Sequence, residues 1–127
     1  MRKTILTTVA ILLLSISSFG QLSNDAKIIK EKAPTVYTTL KDRAVDKWED
    51  NHKMVVYEIN KQTEAWFKVS KLVKVMQEAG RDNANDKEYK ILLNATSKWS
   101  DDINGKNNIN YTMVWYEYKS QMKSIDY

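Results

Sequence analysis

The chain has 127 residues, of which 43% are hydrophobic and 28% charged, with a formal net charge of +4 and no cysteine. That length suits one domain rather than two, and the missing cysteine excludes a disulfide scaffold. The basic residues are scattered rather than blocked, which argues against a nucleic-acid-binding arm.

The first segment reads as an address. Arg2 and Lys3 precede an apolar run from Ile5 to Ile16, and Ser18 and Gly20 place small residues before a cut at Gln21. This order is that of a secretory signal peptide, and the run is shorter than a membrane span requires. The expected organisation is therefore a signal peptide over 1–20 and a single helical domain over 21–127, periplasmic or extracellular. The mature part carries a net charge of +2, so much of the basic balance belongs to the leader. Two remaining glycines and one proline leave few tight turns, which favours helices over a sandwich or small barrel.

Ser23 or Asn24 is the expected cap of a short helix with Ala26, Ile29 and Ala33 on one face, stopped or kinked at Pro34. The strongest periodicity follows. Val45, Trp48, His52, Val55, Ile59, Gln62, Trp66, Val69, Val73 and Met76 alternate spacings of three and four. Eight of these ten are apolar, a heptad-like seam that predicts one helix over about 35–79. Asp50, Asn51 and His52 are its weak point, being poor helix formers. Gly80 fits the C′ position.

Asn85 and Glu88 suggest a capping box, and Tyr89, Leu92, Thr96, Trp99 and Ile103 predict a helix over about 86–103. Asn104-Gly105 breaks it, with Asn107 or Asn108 as the next cap. Asn-Gly is also a hairpin signal, but no alternating strand precedes it. Tyr111, Trp115, Tyr118, Met122 and Ile125 predict a last helix. The fold class expected is all-α: an antiparallel helical hairpin or small bundle of three to five helices with heptad-like seams.

Little here resembles a catalytic set. His52 is the one histidine, and no Gly-x-Ser-x-Gly elbow accompanies the serines. Glu49 and His52 form a Glu-x-x-His pair, half of what a di-iron bundle takes from such pairs. The pairs Glu49-Asp50 and Asp101-Asp102 read as solvated charge. The tryptophans fall on the seams, where core packing accounts for them. Phe67, Leu72 and Tyr116 lie on the flanks, together with Val56 and Val114, and mark a contact patch if exposed. His52, like Gln62, is a polar seam residue able to set register or partner choice.

The sequence thus points to an exported, non-enzymatic helical protein acting through protein–protein contact, with Phe67, Leu72, Tyr116 and His52 as interaction residues. Self-association, an envelope complex, a chaperone-like role and an inhibitor or immunity role all fit this outline. The alternative is a small-ligand or metal-binding bundle using Glu49 and His52. No cofactor, nucleic acid or membrane span after cleavage is expected.

Overall fold

The structure, a computed structural model, describes residues 20–125. All but the last residue of the expected leader lies outside them. The order is α1 (Asn24–Lys32), α2 (Pro34–Trp48), α3 (His52–Glu78), α4 (Lys87–Lys98), β1 (Ser100–Ile103), β2 (Lys106–Ile109) and α5 (Tyr111–Lys123). The protein is mostly helical, with one two-stranded sheet among the described residues. No helix among the described residues is long and apolar enough to cross a membrane. The chain forms two compact units divided after Asn60, within α3.

In the first unit, Ser23 caps α1 by accepting a hydrogen bond from the Ala26 amide at 3.1 Å. Its own amide donates to Asn60 Oδ1 at 2.8 Å, and Asn60 Nδ2 donates to the Gln21 carbonyl at 3.0 Å. One asparagine on α3 thus anchors the entry to α1. Ala33 leaves helical geometry and Pro34 opens α2, the first-turn position where a missing N–H costs nothing. Ala26, Ala44, Val55 and Ile59 form the core, with Leu22, Tyr37 and Trp48 packed against it.

The single helix expected over 35–79 is two helices. Glu49 adopts a φ of 52°, outside helical geometry. Asn51 then starts α3, its side chain accepting from the Met54 amide at 3.3 Å and its carbonyl from the Val55 amide at 2.9 Å. An asparagine that prefers a cap to a helix interior makes this break. Val45 is 41% exposed and His52 is exposed, so the apolar stripe is interrupted at the same point.

The second unit keeps α3 from Lys61 onward. Gly80, at a φ of 67°, closes it. The Arg81 amide donates to the Met76 carbonyl at 2.8 Å and the Gly80 amide to the Gln77 carbonyl at 3.1 Å, a Schellman ending. Asp86, one residue beyond the expected Asn85, caps α4 by accepting from the Tyr89 amide at 3.0 Å. Arg81 decides between them: its guanidinium donates to both Asp86 oxygens, at 2.8 and 3.3 Å, and reaches Glu88 at 2.9 Å.

The helix expected over 86–103 stops at Lys98, and a hairpin replaces its last turn. β1 runs antiparallel to β2, Ser100 opposite Ile109 and Ile103 opposite Lys106. Asn104 and Gly105 both have positive φ, 56° and 77°, the pair a type I′ turn needs. The Asp102 side chain accepts from the Gly105 amide at 3.0 Å. Asn110, rather than Asn107 or Asn108, then caps α5. Val69 and Met76 of α3, Leu92 and Ala95 of α4, and Val114 and Tyr118 of α5 form one core. Val114, expected on a wet flank, is fully buried.

Candidate functional site

Burial and hydrogen bonding distinguish the expected interaction residues. Tyr116 is 62% exposed on α5. Phe67 is half-buried and meets Trp66 edge to face, ring centroids 5.1 Å apart. Leu72 is half-buried against the core of the second unit. His52 is exposed at the first position of α3, and Glu49 is exposed beyond the end of α2. The helix break between those two removes the shared helical face on which their i, i+3 spacing depended. Among the described residues, no group of three or more His, Cys, Asp or Glu side chains is placed to hold a metal.

The second unit instead has an open groove of about 380 Å³. Trp66, Val69 and Val73 line it from α3, and Leu92 and Leu93 from α4. Ile109 at the end of β2 and Tyr111 at the start of α5 complete the apolar lining. Helical spacing explains the α3 wall: residues three, four and seven apart share a face. Leu93, 43% exposed, stands beside the buried Leu92 and gives the groove an uncovered apolar lip. The polar lining residues are Ser70, Lys74, Gln77 and Thr96. The Thr96 hydroxyl is engaged, donating to the Leu92 carbonyl at 2.8 Å.

The Tyr111 end is held by a buried polar side chain. Gln62, 1% exposed, donates from Nε2 to Asn110 Oδ1 at 2.8 Å. Its Oε1 accepts from the Tyr111 amide at 2.8 Å and the Thr112 amide at 3.4 Å. Asn110 Oδ1 in turn accepts from the Met113 amide at 3.3 Å. Together the two amide side chains satisfy N–H groups that a helix start leaves orphaned. They also fix the register of Tyr111 against α3. The sequence marks Gln62 as a register residue; which segment it grips depends on tertiary structure.

The ion pairs outside the groove fix its supports. Lys98 donates to Glu117 at 2.9 Å and thereby holds that carboxyl below its ordinary range, tying α4 to α5. Arg81 does the same for Asp86, chiefly through their hydrogen bond, at the start of α4. Within the groove, burial pushes the Tyr111 phenol up, so it is protonated at neutral pH.

None of the residues expected to mediate interaction lines this groove, although Phe67 touches Trp66, which does. Trp66, Val69, Val73, Leu92 and Tyr111 read in the sequence as seam residues. The adjacent pair Leu92-Leu93 is the sequence signal that the apolar surface of α4 extends past its seam. The chain matches no known family, and no curated protein or solved structure proves similar to it.

Proposed function

We propose that the chain is an exported, non-enzymatic helical protein that works by holding an apolar segment of a protein partner in the groove of its second unit. One observation carries this reading: an apolar groove of about 380 Å³ with Leu93 exposed on its lip. Partner sites of this kind combine an apolar centre with a polar rim, and exposed apolar patches mark interaction surfaces. Export rests on the leader-like order of residues 1–20. The heptad-like spacing from Ile59 to Met76 serves both ends of this design, burying Ile59, Val69 and Met76 while Trp66 and Val73 face the groove.

Covering an apolar side chain the size of Leu93 contributes about 1–2 kcal/mol, since part of its surface is already buried. The Leu93→Glu substitution therefore removes partner binding at little cost to folding. Multi-angle light scattering over a concentration series, with affinity capture from the envelope fraction, measures this. The expected result is a complex of defined stoichiometry that Leu93→Glu loses while its thermal melt stays within a few degrees of wild type. A wild type that is monomeric and partner-free, or a Leu93→Glu variant that binds equally well, would overturn the proposal.

A further inference from the structure

Charge around the groove is one-sided. From Trp66 to Gln77 the chain carries Lys68, Lys71 and Lys74 and no acidic residue. From Lys90 to Lys98 there is again no acidic residue, and Ile109 to Tyr116 has none either. These three stretches supply the entire groove lining. The acidic residues of the unit lie outside the lining: Glu78, exposed one helical turn beyond Lys74, is the nearest along α3, while Asp86 and Glu88 pair with Arg81, Glu64 with Lys68, and Glu117 with Lys98. Lys74 is the one ionisable cation lining the groove, and none of the ion pairs found among the described residues involves it.

The neighbouring groove of about 290 Å³ along α4 and α5 provides the contrast. Its lining includes both Lys98 and Glu117, joined at 2.9 Å, so its charge is met from within. The Lys74 groove has apolar walls, an ammonium group and the protonated phenol of Tyr111, and lacks any anion. It is also open along one side, and a small molecule would leave much of its surface wet there, unlike the enclosure typical of small-molecule pockets. A chain segment lying along it suffers no such loss.

Resting on the reading of this groove as a partner site, we infer that the segment it takes is both apolar and acidic: aliphatic side chains against Trp66, Val73 and Leu93, with a carboxylate beside Lys74. Charge complementarity of this kind selects among partners and suppresses basic ones.

Heteronuclear NMR titration of the full chain reads affinity and location together, even for weak binding. The probes are the capped peptide Ac-Leu-Leu-Glu-Leu-Leu-amide and its counterparts with Gln or Lys at the centre. The expected result is shift changes at Leu93, Thr96 and Tyr111. The Glu peptide should bind about threefold more tightly than the Gln peptide, the range of a solvent-exposed ion pair, and the Lys peptide most weakly. Lys74→Glu should reverse the order of the Glu and Lys peptides, whereas Lys106→Glu on the hairpin, with the same change in net charge, should leave it standing. Equal binding of the Glu and Gln peptides overturns the inference while leaving the groove as an apolar partner site. Reversal by both variants equally overturns it too, assigning the effect to overall charge. If decanoate shifts the groove resonances and no peptide does, both the inference and the protein-partner reading fall in favour of a small amphiphile.

Discussion

Glu58 and Gln62 stand one turn apart on α3, are equally long and are both buried, 4% and 1% exposed. Their surroundings could hardly differ more. Gln62, in the second unit, spends its donor and its acceptor on the start of α5. Glu58, in the first unit, accepts from Lys47 Nζ at 3.4 Å, and its other oxygen has no hydrogen-bond partner among the described residues. The lesson is that burial alone does not say what a polar residue contributes. A neutral amide satisfied on both sides locks register, whereas a buried carboxylate with one oxygen unmatched retains part of its desolvation cost.

The sharpest test of that contrast is Gln62→Leu. It strands the Tyr111 amide and removes a partner from Asn110, and should cost about 2–3 kcal/mol. Urea denaturation should show the midpoint falling with its slope unchanged. In the other region, Lys47→Met should cost about 1 kcal/mol, because the lysine is half exposed and the pair screened. Glu58→Gln should be neutral or slightly stabilising. If Lys47→Met proves costlier than Gln62→Leu, the two residues have been ranked in the wrong order.

Smaller still is the pH effect at the loop before α4. The Asp86 carboxyl lies below its ordinary value because it accepts from Arg81 and caps α4. A lowered folded value gives stability that is present above the unfolded value near 4 and lost as pH falls through the folded one. Thermal melts between pH 6 and pH 2 should therefore show a loss that Asp86→Asn, which keeps the cap but not the charge, makes shallower. A parallel decline in both proteins would assign the acid sensitivity elsewhere.

Local chemistry was the legible part of this fold. Ser23 as a cap, Pro34 as a boundary and Gly80 as a terminator follow from the conformational limits of single residues, and each stands where expected. The break at Glu49–Asn51 was hidden because the linker is shorter than one helical turn, so the three-and-four spacing runs on across it. The hairpin escaped for a related reason. Its strands are four residues long, too short to display alternation, so the Asn104-Gly105 turn signal stood without a flanking strand pattern to support it. The groove was invisible for a third reason. Periodicity identifies the apolar face of a helix, but whether a neighbour covers Leu93 is decided by residues far away in the sequence.

The grip of Gln62 also orders events in time. Its partners lie 48 to 50 residues further along the chain, so the first turn of α5 has no such support until a long loop has closed. Closing a loop of that size is an entropic cost met before any contact repays it. The helices α3, α4 and α5 all have caps of local origin, so their first turns do not wait for that closure. The start of α5 has a local cap of its own in Asn110, but its register against α3, and with it the Tyr111 end of the groove, is fixed only once that loop has closed.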